Sequence, residues 1–122
     1  MTDTRLSFKE MCVQFDVTPR TLRYYEYIEL LSPEKDGRAR WYTPREVARM
    51  KLILRGRRFG FSLEEIRQWL LMYQQKGTKP QLRSFVEMAD RQLAVLEDQQ
   101  SQLNTTISDL RTLRDESFKA AD

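Results

Sequence analysis

At 122 residues, with 32% charged and 40% apolar side chains, the chain suits one small folded domain, or a domain with an appendage, and not a disordered segment. It has no histidine and one cysteine, Cys12. That excludes an internal disulfide and a cysteine-rich metal site and removes the commonest general base, so no metal, cofactor or enzymatic centre is expected. The net charge of +3 is unevenly spread: residues 38–58 carry eight basic side chains and one acid, Glu46, an excess suited to a polyanion. No apolar run approaches the roughly 20 residues of a membrane span and no signal peptide is read at the start, so a cytoplasmic, bacterial-type location is expected.

The first helix is expected from about Ser7, with Phe8, Met11, Cys12 and Phe15 three and four apart on one apolar stripe. Within that stripe Cys12 reads as a small core residue, not a reactive thiol. A very short connection leads to TPRTLRYYE, residues 18–26. Thr18 can accept from a free helical N–H, and Pro19 suits the first helical position. At about 100° per residue, Arg20, Arg23, Tyr24 and Tyr27 fall on one arc of roughly 100°, with Leu22 opposite and Tyr25 and Glu26 at its flanks. One face is anchored in a core; the other offers guanidinium and phenol groups outward. Two short helices joined this tightly form a helix-turn-helix candidate whose second member is the reader.

Pro33 then breaks the chain, and Asp36-Gly37 predicts the turn of a small two-stranded wing that returns over residues 38–42. Thr43-Pro44-Arg45-Glu46 predicts a capping box with Glu46 reaching back. The third helix is expected to run to about Phe59, with Val47, Met50 and Leu54 inward, and to end at Gly60. A second capping box, Ser62 to Glu65, opens a fourth helix with Ile66, Trp69 and Leu70 inward, Trp69 serving packing. Residues 1–75 thus form one domain and residues 76–81 a linker. Over 82–122, Leu82, Val86, Ala89, Leu93, Leu96, Gln100, Leu103, Ile107 and Leu110 alternate spacings of four and three. That is a coiled-coil seam on a helix on the order of 50 Å long. So narrow a strip needs a second copy of itself, so the tail is read as a dimerisation device and these nine residues as its interface.

These motifs, in this order, resemble the MerR family of bacterial transcription regulators: TPRTLRYYE in the reading helix, LLSP after it, GRARWY at the wing, and LRGRRFGFSLEEIRQWL across the third and fourth helices. The likeness covers roughly residues 6–75 by motif and the remainder by architecture. Where the family usually carries glycine in the first turn and before the leucine pair, this chain has Asp16 and Glu29. A left-handed backbone is tolerable for Asp16 and less so for Glu29.

The resemblance implies an all-α fold with a small wing, in which a winged helix-turn-helix domain is joined to an antiparallel coiled coil. It implies a homodimer, cytoplasmic and nucleoid-associated, that binds double-stranded DNA at a pseudo-palindromic promoter. The dimer would distort the spacer for RNA polymerase in response to an unknown effector. Arg20, Thr21, Arg23 and Tyr24 would lie at the major groove, flanked by Thr18 and Tyr27, with Tyr25 seating the helix against the wing. Arg40 and Tyr42 carry over as phosphate or minor-groove contacts beside Arg38. Arg55, Arg57 and Arg58, before the second wing, would position the duplex. The cysteines of metal-sensing relatives are missing and no large ligand domain is expected. The short tail and ILRGRRFGFSL are similar to regulators of branched-chain amino-acid and acyl-CoA breakdown. An effector pocket would lie near Trp69, Tyr73 and Phe85. The alternative is an architectural or excisionase-type DNA-binding protein without a switch.

Overall fold

The computed structural model describes residues 4–74 and 78–122, which fall into two units divided between residues 76 and 77. The first unit contains β1 (Leu6–Ser7), α1 (Phe8–Phe15), α2 (Pro19–Tyr27), β2 (Glu34–Asp36), β3 (Ala39–Tyr42), α3 (Pro44–Phe59) and α4 (Leu63–Gln74). The second is one helix, α5 (Lys79–Ala121).

Side-chain caps set most helix starts. Ser7 and Glu10 form a reciprocal capping box on α1, and Ser62 and Glu65 exchange the same pair of bonds at 2.9 and 3.1 Å on α4, as the sequence predicts. Thr18 Oγ1 accepts from Thr21 N at 3.1 Å. The box expected at Thr43 is absent: Thr43 makes no side-chain cap bond. Glu46 turns inward instead, where its Oε2 accepts from Ser32 N at 3.1 Å and lies 3.8 Å from Arg49 Nε. A carboxylate only 7% exposed is retained where it has such partners, and the backbone N–H of Ser32 needs one as much as the N-terminus of α3 does.

Helix ends follow a single pattern. After α1, Val17 N donates to Cys12 O and Asp16 N to Val13 O; after α2, Leu30 N donates to Tyr25 O and Glu29 N to Glu26 O. After α3, Phe61 N donates to Gly56 O and Gly60 N to Arg57 O. Each is a Schellman ending, which needs a left-handed residue just past the helix. That residue is Asp16 (φ 51°), Glu29 (φ 64°) and Gly60 (φ 89°) in turn. Both departures from glycine therefore sit at left-handed joints.

The sheet carries one strand more than expected. Its order is β1-β3-β2, with Leu6 opposite Tyr42 and Ser7 opposite Trp41 on one edge of β3, and Glu34 opposite Trp41 on the other. The hairpin turns through Gly37 (φ 61°) as read from Asp36-Gly37, and β1 pairs the edge that a two-stranded wing would leave open. Met11, Leu22, Leu30, Leu31, Tyr42, Met50, Ile53 and Ile66 are fully or almost fully enclosed. Within α3 the buried line is Glu46, Met50, Ile53 and Gly56, while Val47 and Leu54 are only half-buried, so the inner face is rotated from the one expected. Gly56 accounts for the rotation: a Cβ there would come within 2.8 Å of Ile66 Cγ1, so α3 and α4 touch along its bare backbone.

In the second unit, Thr78 caps α5 in a box with Gln81, and the helix starts at Lys79. Lys79 to Gln81, expected in a linker, are therefore helical; residues 75–77 lie outside the described residues. The helix has 43 residues, about 65 Å at ~1.5 Å each. Apart from half-buried Ala89, the seam from Leu82 to Leu110 is exposed, Leu110 by 64%.

Replacing Glu29 by glycine should raise stability in urea unfolding by about 1 kcal/mol, because glycine has no Cβ to clash in the left-handed region; Asp16→Gly should gain less, since aspartate tolerates it. A Glu29→Gly protein no more stable than the parent would show that this joint carries no backbone strain.

Candidate nucleic-acid interface

The geometry of α2 divides its residues as the arc predicts. Leu22 is 0% and Tyr25 7% exposed, whereas Tyr24 and Tyr27 are 49% and 83% exposed. Arg20 and Arg23 are exposed on that outer side. Thr18, besides capping, donates its hydroxyl to Thr21 Oγ1 at 2.9 Å, so both threonines serve the helix start first. Arg20, Thr21, Arg23, Tyr24, Tyr25 and Tyr27 line a shallow concavity of about 610 Å³, completed by Arg57 from α3 and Leu63 from α4. Tyr25 contributes only an edge to it.

Of the three α3 arginines expected at the second wing, Arg57 is the one brought to this surface. Arg58 and Arg55 are exposed but stand about 100° and 160° around the helix from it at 100° per residue. Arg38 is exposed at the hairpin turn.

Two predicted contacts turn inward. Arg40 and Tyr42, two residues apart on β3, lie on one face of the sheet, and that face meets Glu26 of α2. Tyr42 is fully enclosed and its Oη donates to Glu26 Oε2 at 2.9 Å. Burial first, and then the Glu26 carboxylate, push its phenol far above the ordinary range, so it stays a neutral donor. Tyr42 cannot touch a duplex, and the expectation that it does is corrected. Arg40 Nε lies 2.9 Å from Glu26 Oε1, with the Arg40 side chain 37% and Glu26 11% exposed. The Glu26 carboxylate thus offsets part of the Arg40 charge, and the side chain stays partly exposed. The guanidinium groups of Arg23 and Arg40 also stand 5.9 and 5.8 Å from the centre of the Phe8 ring, within reach of its π-face.

Sequence reasoning missed Glu26, Trp41, Arg49 and Arg67. Glu26 could have been found: it flanks Leu22 on the inner arc, where a carboxylate needs partners. Trp41 lies on the opposite face of β3, with Arg5 over its ring at 5.2 Å and Arg5 Nη1 3.0 Å from Glu34 Oε2. Arg49 and Arg67 donate to the backbone past the end of α2, which no local pattern announces. Burial pushes the Cys12 thiol up against the pull of Arg23, and the side chain is half-buried.

Among the residues expected near an effector, Trp69 is 5% exposed and packs edge-on to Phe61 at 6.4 Å, which in turn meets Phe59 at 6.1 Å. The Tyr73 side chain lies outside what the structure describes, and Phe85 belongs to the second unit.

Two family models match the chain: "MerR HTH family regulatory protein" over residues 6–73 and "MerR, DNA binding" over residues 47–113. HTH-type transcriptional regulator HmrR of Rhizobium leguminosarum bv. viciae is 43% identical over 58 residues, which is 47% of this chain and 45% of HmrR. HTH-type transcriptional regulator PA4778 of Pseudomonas aeruginosa is 32% identical over 115 residues, 90% of this chain and 78% of PA4778. The chain thus spans less than half the length of the former and most of the latter. A crystal structure of a MerR family transcriptional regulator from Bacillus cereus superposes with a TM-score of 0.72 at 29% identity, over 85% of this chain and 75% of that one.

Glu26→Ala should lower stability by about 1–3 kcal/mol, the range for leaving a buried hydroxyl unpaired, here that of Tyr42. Glu26→Gln, which keeps an acceptor for Tyr42 but not the charge for Arg40, should recover at least half of that loss in the same urea titration. Equal stability of Glu26→Ala and the parent would mean that the carboxylate does not tie α2 to the sheet.

Proposed function

Because the chain belongs to the MerR HTH family of regulatory proteins, we propose that it is a sequence-specific DNA-binding transcriptional regulator acting as a homodimer. The observation that carries this reading is the one-sided helix α2: Arg20, Arg23, Tyr24 and Tyr27 are exposed opposite Leu22, and Arg57 joins them from a second element. Such a helix fits the major groove, where arginine pairs with guanine O6 and N7 and tyrosine meets a base edge or phosphate. Arg57 and the wing-turn Arg38 hold phosphates and set the register without reading sequence. The regulated event is promoter opening by RNA polymerase, with the duplex distorted between two half-sites.

The homodimer is supported by α5. Eight of its nine seam positions are exposed, and Leu82, Val86, Leu93, Leu96, Leu103, Ile107 and Leu110 form an apolar strip along one side. Burying this strip against a second copy supplies the favourable apolar term that association needs. A dimer with two-fold symmetry matches a two-fold symmetric operator.

Selection of binding sites from random duplex DNA, followed by sequencing, should return a two-fold symmetric motif. Arg23→Ala should weaken binding to the recovered duplex by about 1–3 kcal/mol. Recovery of no motif would support an architectural protein, and unchanged affinity in Arg23→Ala would remove α2 from the groove.

Leu96→Asp puts a charge in the seam and should yield monomers in sedimentation at low micromolar concentration. A persistent dimer there would show that α5 does not serve as the interface.

A further inference from the structure

The outer side of α2 has a reader's chemistry, but its inner apolar contacts do not fix where that side points. Burial of Leu22 and Tyr25 is a non-directional term. Direction comes from hydrogen bonds at its C-terminal end, and three of them come from two arginines on other helices. Arg49 of α3 donates from Nε at 3.0 Å and from Nη2 at 2.9 Å to Leu30 O. Arg67 of α4 donates from Nη2 to Ile28 O. Both carbonyls lie at the Schellman ending of α2, on either side of left-handed Glu29.

Each arginine is itself oriented by a glutamate one turn earlier. Glu46 Oε2 stands 3.8 Å from Arg49 Nε and also takes Ser32 N, and Glu64 Oε2 stands 3.5 Å from Arg67 Nε. The Arg49 and Arg67 side chains are 17% and 33% exposed. Burial lowers the Arg49 pKa, but its guanidinium remains a charged donor. These two cations therefore differ from Arg20, Arg23 and Arg57, which point outward.

We propose that Arg49 and Arg67 are positioning residues for DNA reading, clamping the end of α2 so that its outer side chains meet the right base edges, a role that rests on the DNA-binding reading above. The lever is short but sufficient. α2 is nine residues, about 13 Å, so a tilt of roughly 10° about its C-terminal end moves Arg20 by about 2 Å. Such a shift breaks a bidentate arginine–guanine pair, whose donor–acceptor distances vary by only a few tenths of an ångström. It barely changes long-range attraction to phosphates. Loss of the clamp thus acts on specificity and leaves non-specific binding in place.

The test uses the full chain, the duplex recovered by selection with the parent protein, and a random-sequence duplex of equal length. Arg67→Met and Arg49→Met remove the donors at similar bulk; Arg67→Lys keeps the charge and one donor to Ile28 O. With folding verified by circular dichroism and thermal melting, each methionine variant should bind the selected duplex about tenfold more weakly, an effect the size of one mismatched base pair. Its affinity for random DNA should stay within about twofold and its salt slope unchanged, and Arg67→Lys should recover at least half of the specificity ratio. Equal weakening on both duplexes with a shallower slope would make the arginines phosphate contacts and overturn the proposal. So would a folded Arg67→Met with full specificity. If Arg49→Met does not fold, Arg67→Met and Arg67→Lys decide alone. Failure of the parent to select any motif would instead strike at the DNA-binding reading itself.

Discussion

A helix that shows arginine and tyrosine on one side has to be held by what remains on the other. In α2 that remainder is small: Leu22 and Tyr25 in the core and the Glu26 carboxylate against β3. Isolated helices of this length are marginal in water. Polar contacts from neighbouring elements add to this hold: Tyr42 donates to Glu26, Arg40 forms an ion pair with it, and Arg49 and Arg67 donate to carbonyls at the end of the helix. The exposed side of α2 is thus backed by polar as well as apolar contacts on its hidden side.

The tight connections have a common cause. A Schellman ending turns the chain away from the helix axis within about two residues, so α1 and α2 are separated only by residues 16–18, and α3 and α4 only by residues 60–62. Leu30 and Phe61, the residues following the left-handed joints of α2 and α3, are 0% and 3% exposed. These two reversals therefore also place an apolar residue in the core. Glycine occupies one of the three joints; the other two keep the same bonds at some backbone expense.

Much of this was legible because it is local. Thr18-Pro19, Ser62 to Glu65, Asp36-Gly37 and Gly60 signal structure through residues within four positions of one another, and the one-sidedness of α2 follows from its 100° period. The elements that escaped are those decided by distant partners. The Thr43 box has the right letters, yet Glu46 is drawn to Ser32 and Arg49. β1 is two residues, too short for any alternation to show, and exists because β3 has an edge to fill. Tyr42 reads as one of a run of basic and aromatic residues, whereas the pleat sends it and Arg40 to the same inner face. The rotation of α3 depends on what Gly56 lacks, which only its closeness to Ile66 makes visible.

The basic run at residues 38–58 shows why a charge count is not a surface. Of its eight cations, Arg40 is turned to Glu26 and Arg49 to a backbone carbonyl, so both support α2 from behind. Arg38 and Arg57 stand outward from different elements, one at the hairpin turn and one beside α2. On the DNA reading this divides the labour. Exposed cations on separate elements attract any duplex, with an affinity that falls steeply with salt, whereas choosing among sequences depends on the angle of one short helix. On the same reading that angle is set by Arg49 and Arg67, which are bonded to carbonyls at the end of α2. The same residue type thus supplies attraction where it is open and aim where it is enclosed, and the difference lies in the acceptor that folding offers it.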